Sequence, residues 1–178
     1  LRLGERERAE QWLLQASEST VLETLMRLAS VCLRYGFTTK ALEALQRATS
    51  LYPASRTGWT QLAYTQAECW QMDDALASAA KIEALGGDDA LPAIKALVAR
   101  RLGDVNTAMT IYGELVQREP IPGEYASRMA QCSLYSDLLS PIESLGLRQS
   151  LFMRLGERAR PRASFMRPPL EGRRIRLG

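Results

Sequence analysis

The stretch from Leu22 to Pro53 reads LETLMRLASVCLRYGFTTKALEALQRATSLYP, and it decides the fold. Leu25, Leu28, Ala29 and Cys32 recur at helical spacing, then Gly36 interrupts, then Ala41, Leu45 and Ala48 resume the same spacing until Pro53 stops it. That is a helix, a glycine turn and a second helix within one short unit. The unit repeats. Ala9, Ala41, Ala75 and Ala108 stand at nearly equal intervals. Five places before each comes Gly4, Gly36 or Gly103, with Trp70 as the exception. Four places after comes Leu13, Leu45, Ala79 or Tyr112, and seven after comes Ala16, Ala48, Ile82 or Leu115. Trp59, Leu62 and Ala63 stand to the second unit as Leu25, Leu28 and Ala29 do to the first, and a proline also closes a later unit at Pro120.

This signature resembles the tetratricopeptide repeat, whose period is about 34 residues. Each residue type has a physical reason. Small side chains let two antiparallel helices approach, glycine takes the left-handed conformation that ends the first helix, and proline cannot continue the second. The expected helices run about 5–18, 22–35, 38–51, 56–69, 72–85, 89–102, 105–118 and 123–136. The expected fold is therefore all-α, a right-handed tetratricopeptide-type superhelix of antiparallel helix pairs, without a sheet and with an extended C-terminal tail. Repeats are expected over residues 1–137, a linker helix over 138–158 and a basic connector over 159–178.

In this architecture the first helix of each pair lines the concave side. Glu23, Arg27, Ser30 and Arg34 share one face of such a helix by their i, i+4, i+7, i+11 spacing. The same places one repeat later hold Thr57, Gln61, Tyr64 and Glu68. These eight are the candidate groove residues for a protein or peptide ligand. In the third unit the comparable stripe is Ala90, Ile94, Leu97 and Arg101, with Lys95 where leucine is expected. Either the register slips by one there or the groove turns apolar.

Composition agrees with a binding module. Apolar residues make up 46% of the chain and aromatics 7%, a balance that favours helices over strands. The net charge of +3 divides unevenly, since residues 154–178 carry eight arginines against Glu157 and Glu171, or 8 − 2 = +6. The rest of the chain sums to 3 − 6 = −3, so a basic tail is indicated rather than a nucleic-acid-binding body. Histidine is absent, which removes histidine-based triads and the common zinc sites. Asp73-Asp74 and Asp88-Asp89 precede alanine-rich helices as caps, and Gly86-Gly87 lacks the lysine of a phosphate loop. No catalytic residue and no cofactor is expected. Cys32, Cys69 and Cys132 are far apart and read as reduced core residues, and no apolar run reaches membrane-spanning length. A cytoplasmic setting fits.

After Pro120 the pattern changes. Ser140, Pro141 and Glu143 form a capping box with proline at the first helical position, so a helix is expected over about 141–157. Residues 160–172 read as a proline- and arginine-rich connector, and Arg173 to Gly178 alternate like the start of a strand, which suggests that the natural chain continues. Tyr135-Ser136-Asp137, Leu139-Ser140-Pro141 and Arg174, Arg176 and Gly178 together resemble the junction in bacterial O-linked N-acetylglucosamine transferases and SPINDLY-like proteins. There, repeats precede a glycosyltransferase domain. The resemblance implies sugar transfer from UDP-N-acetylglucosamine to protein serine or threonine by a downstream domain, whose catalytic residues lie outside this chain. The animal enzyme lines its groove with asparagines, whereas Asn106 is the one asparagine here. The rival reading is a free-standing adaptor or chaperone holding a peptide or helix.

Overall fold

The computed structural model describes residues 12, 13, 15–118 and 123–156. The expected features at Gly4, Ala9 and Pro120, and over the 159–178 tail, lie outside these residues. Eight helices are described in full: α1 (Leu22–Arg34), α2 (Thr38–Leu51), α3 (Arg56–Glu68), α4 (Met72–Ala84), α5 (Leu91–Arg101), α6 (Val105–Arg118), α7 (Glu124–Cys132) and α8 (Pro141–Gly156). No strand occurs among the described residues. Residues 12, 13 and 15–17 are also helical, and Leu13 and Ala16 pack against the core formed by α1 and α2.

Three short turns make the pairs. Gly36 ends α1 with φ +79° and Gly103 follows α5 with φ +86°, the left-handed conformation that glycine adopts at little cost. In each turn the next amide reaches back across the helix end, Phe37 N–H to Cys32 O at 2.8 Å and Asp104 N–H to Ala99 O at 2.9 Å. Trp70 makes the same turn without being a glycine. Its φ is +64°, and Gln71 N–H reaches Gln66 O at 2.9 Å. A side chain in this region costs roughly 1–2 kcal/mol, so something must compensate for a tryptophan there.

Between units, Ser55 caps α3 by accepting from Gly58 N–H at 3.1 Å, and the Trp59 indole donates to Pro53 O at 2.9 Å. The residue that closes one unit thereby anchors the large side chain that opens the next. Ala41, Ala75 and Ala108 are all fully buried, each in the second helix of its pair. The core runs as a chain of clusters along the array, as expected where each repeat packs only on its neighbours.

The repeat pattern stops sooner than its spacing suggests. α7 ends at Cys132, short of the expected 136, and the chain turns through Ser133 to Tyr135. Buried serines replace helical bonds at this corner: Ser133 Oγ donates to Ala130 O at 2.8 Å, and Ser144 Oγ donates to Ser133 O at 2.8 Å. The Asn106 amide holds the following segment, donating to Asp137 at 2.6 Å and accepting from the Ser136 hydroxyl at 2.6 Å.

α8 then starts at a complete capping box. Glu143 N–H donates to Ser140 Oγ at 3.3 Å, and Ser140 N–H donates to Glu143 Oε2 at 2.8 Å. Bonds from the Ser140 hydroxyl and the Ser140 amide hold the Glu143 carboxyl below its ordinary value of 4.5. A depressed carboxyl contributes stability above its unfolded pKa and loses it as pH falls through the folded one. Glu143 is therefore expected to titrate below 4.5 by carboxyl NMR, and Ser140→Ala should bring the midpoint back up. An unshifted midpoint in the parent protein would mean that the box does not persist in solution.

Candidate binding groove

Of the first helices of the pairs, α3 touches α5 directly. α1 carries Glu23 and Arg27, which pair with each other at 2.6 Å while 71% and 78% of their side chains stay exposed. Ser30 and Arg34 are exposed further along α1. On α3, Thr57 and Gln61 are exposed, and Thr57 borders an open cleft with Arg56, Gly86, Gly87, Asp88 and Asp89. Asp88 is occupied structurally there, accepting from Ala90 N–H at 2.7 Å and from the Thr60 hydroxyl at 2.9 Å.

Tyr64 and Glu68, the last two of the eight, are half-buried and join a cluster built from three helices. Glu68 Oε2 accepts from Arg101 Nη2 of α5 at 2.5 Å, and Glu68 Oε1 lies 3.9 Å from Arg128 Nη2 of α7. Arg128 Nη2 also donates to the Tyr64 hydroxyl at 2.9 Å and to Glu124 at 2.5 Å. The structure thus gathers Tyr64 and Glu68 with Arg101, Arg128 and Glu124, and leaves Glu23, Arg27, Ser30 and Arg34 as a separate exposed stripe on α1.

Below the cluster lies Tyr112 of α6, fully buried and stacked on Tyr125 with ring centroids 6.3 Å apart. Its hydroxyl faces the Arg128 guanidinium without reaching strict hydrogen-bond geometry. Burial pushes the Tyr64 and Tyr112 phenols up, against the opposing pull of Arg128. For Arg128 burial works against the charge, yet the facing Tyr112 hydroxyl, the nearby Tyr64 and its bond to Glu124 hold its pKa above the usual arginine value. Both phenols are neutral and Arg128 is cationic throughout the physiological range.

Arg101 is braced on its other side by the left-handed Trp70. The guanidinium carbon stands 4.4 Å from the indole centroid, a cation–π contact, while 64% of Trp70 stays exposed. The side chains of Arg101 and Arg128 are each 18% exposed, so the node keeps a small opening to solvent.

The third unit settles its register. Leu25, Leu28 and Ala29 are buried, and in the matching places of the second unit Leu62 and Ala63 are buried beside half-buried Trp59. In the third unit Ala93, Ala96 and Leu97, each 34 places after its counterpart, are buried, whereas Gly103 and Ala108 follow Trp70 and Ala75 by 33, so the register shifts by one within that unit. Ile94 and Leu97 are core residues rather than an apolar groove, and Lys95 is exposed and paired with Glu83 of α4. Of the stripe Ala90, Ile94, Leu97 and Arg101, only Arg101 joins the cluster.

Cys32 and Cys132 are buried and Cys69 half-buried, all as free thiols whose pKa values are raised chiefly by burial. Among the described residues no acidic or cysteine group could hold a metal, and no helix is long and apolar enough to cross a membrane. Residues 22–65, which cover α1, α2 and most of α3, match the family model of the tetratricopeptide repeat. The fold is a tetratricopeptide-type superhelix. The match covers one helix pair and the start of the next, and the tetratricopeptide pattern continues beyond it in the buried alanines Ala75 and Ala108 and in the turn at Gly103. No curated protein matches the chain at a significant level. Tetratricopeptide repeats are protein-interaction modules, which is the coarse function of this chain.

Proposed function

We propose that the chain holds a peptide segment of a partner protein along its inner face, against Arg27, Arg34, Gln61, Tyr64 and Glu68, with Glu23, Ser30 and Thr57 flanking them. The observation that carries this reading is the Tyr64–Glu68–Arg101–Arg128 node. It joins hydrogen-bonding groups from three successive first helices, beside the aromatic side chains of Tyr64 and Trp70, and this supports the reading. An extended peptide offers backbone and side-chain groups that such a surface can engage, and the rigid helix pairs position the surface in advance. Joint alanine substitution of Arg27, Arg34, Gln61, Tyr64 and Glu68 is expected to weaken binding of peptides selected from a random display library by at least about tenfold in calorimetry, one affinity decade. Helicity should stay nearly unchanged. Equal affinity would move the site elsewhere.

A second reading makes this module the substrate-selecting arm of a protein O-glycosyltransferase of the UDP-N-acetylglucosamine type. It rests on the junction: Ser136 and Asp137 are pinned by Asn106, the capping box launches α8, and the apolar side chains of Leu138 and Ile142 are exposed. Such a surface suits contact with a following domain. The reading frame beyond Gly178 tests it, since a long further stretch of alternating strands and helices would support a catalytic domain. A stop codon there would favour a free-standing adaptor.

A further inference from the structure

The last described helix, α8, has one packed face and one bare one. On its inner side Leu151 is buried against Val116, Ala126 and Ala130, Leu147 is half-buried beside them, and Ser144 bonds to Ser133. The opposite side carries Ile142, Gly146, Gln149 and Met153, all exposed at i, i+4, i+7, i+11 spacing, with Leu145 and Phe152 exposed along one flank. Ile142 is 82% exposed, and Leu138, just ahead of the helix, extends the patch. At ~200 Å² for a fully exposed large apolar side chain, Leu138, Ile142, Leu145, Phe152 and Met153 leave roughly 600 Å² uncovered. That is the top of the range for the largest apolar patch of a monomer, and it approaches the ~800 Å² that each partner gives to a standard interface. Gly146 sits in the middle of this face. Glycine is among the least favourable residues in a helix interior, so its presence there needs a reason. The two other glycines inside described helices have one within the chain: a Cβ at Gly58 would come within 3.1 Å of Ser55 Oγ, and a Cβ at Gly113 within 3.4 Å of Met129 Cε. Among the described residues a Cβ at Gly146 would meet nothing within 4 Å.

We propose that α8 is the contact of a two-fold homodimer, in which the outer faces of two α8 helices pack antiparallel and Gly146 lets their axes approach. The four outermost positions are spaced 4, 3 and 4 residues apart, a pattern that reads the same in both directions. The face is therefore self-complementary under a two-fold axis between Gly146 and Gln149, the commonest symmetry of paired chains. Reversal about that axis sets Ile142 against the other copy's Met153, and Gly146 against the other copy's Gln149, so the longer side chain enters the space that the glycine leaves. A parallel pairing would set glycine on glycine, leave that space empty and align the two helix dipoles side by side. The outermost stripe carries no charge, and Glu143 on its flank is held by the Ser140 box, so the face calls for an apolar partner such as itself. None of these residues belongs to the polar node, and the pairing is independent of the peptide reading.

Sedimentation equilibrium of the full chain tests this. A dimer is expected with a dissociation constant on the order of 10 µM, the weak end for an interface of this size. Ile142→Glu and Met153→Lys, both at exposed positions, should each weaken it at least about tenfold, while the thermal melt of the dilute monomer stays in place. The double variant Ile142→Glu, Met153→Lys sets opposite charges across both symmetric contacts. It should recover association to within about threefold of the parent at low salt and lose it again at high salt. Gly146→Leu should also weaken the dimer at least about tenfold, yet raise the melt of the dilute monomer, because leucine is the better helix former. A glycine kept for the fold of the monomer would not separate those two readouts. A chain that sediments as a monomer up to roughly 200 µM overturns the proposal and leaves the face to another occupant, such as a following domain. A dimer that ignores Ile142→Glu and Gly146→Leu overturns it as well, by placing the contact elsewhere. So does a dimer that both single charge variants weaken and the double variant does not restore, because antiparallel two-fold pairing requires that rescue.

Discussion

Leu97→Ala is expected to lower the unfolding free energy by about 2–5 kcal/mol, the usual range for emptying a leucine site in a well-packed core. Leu97 is fully buried and packs in one cluster with Ala67, Ala75 and Val98, flanked by Tyr64 and Met72. Its place in the repeat explains why the loss should be large. The first unit fills the corresponding three places with Leu25, Leu28 and Ala29, and the second with Trp59, Leu62 and Ala63, large residues first and the small one last. The third unit inverts the order to Ala93, Ala96 and Leu97, and its alanines pack toward α6 while Leu97 packs toward α3 and α4. Truncating it leaves a cavity between α5 and the preceding pair, beside Ala67 and Ala75. Urea and thermal unfolding followed by circular dichroism would measure the effect. Leu102→Ala is the control, since Leu102 is 63% exposed and should change stability by no more than about 0.5 kcal/mol. Similar melts for the two variants would remove Leu97 from the core.

That inversion also shows why the fold was readable from the chain and the groove only partly. Helix ends and pairings follow from Gly36, Gly103, Pro53 and the alanines, all local signals repeated at one spacing, and most helices end close to where that spacing places them. The corner after Cys132 escaped because serine–backbone bonds tie Ser133 to Ser144, a contact between segments that carries no periodic mark. Likewise the polar node depends on residues in different repeats. Glu68 meets Arg101 33 positions away, and Tyr64 meets Arg128 64 positions away. Periodicity places Tyr64 and Glu68 on a face, but it cannot say which cations of later helices lean onto that face. Arg128 and Glu124 carry a weak local sign, the i, i+4 spacing of an acid before a base on α7, which many solvated helices share. Trp70 was visible as a departure from glycine. Its left-handed backbone and its contact with Arg101 gave that departure a meaning.

Ala75→Leu makes the complementary prediction from the same cluster. Ala75 is fully buried on α4, and α4 packs so closely against α3 and α5 that a leucine must displace Ala67, Leu97 or Val98. Overpacking of this kind costs on the order of 1–3 kcal/mol, and the fully buried Ala41 and Ala108 should respond alike in their own clusters. Because Ala75 and Leu97 share a cluster, their effects should not add. The double variant Ala75→Leu, Leu97→Ala moves one isobutyl group from α5 to α4 across one contact and nearly conserves the enclosed volume. It should therefore be more stable than the sum of the single effects by about 0.5–3 kcal/mol, the coupling range for residues in contact. Pairing Leu97→Ala with Ala41→Leu instead, whose cluster lies a full unit away, should give simple additivity. Additivity in both pairs would mean that Ala75 and Leu97 do not share a packing site, and the repeat register assigned to the third unit would be wrong.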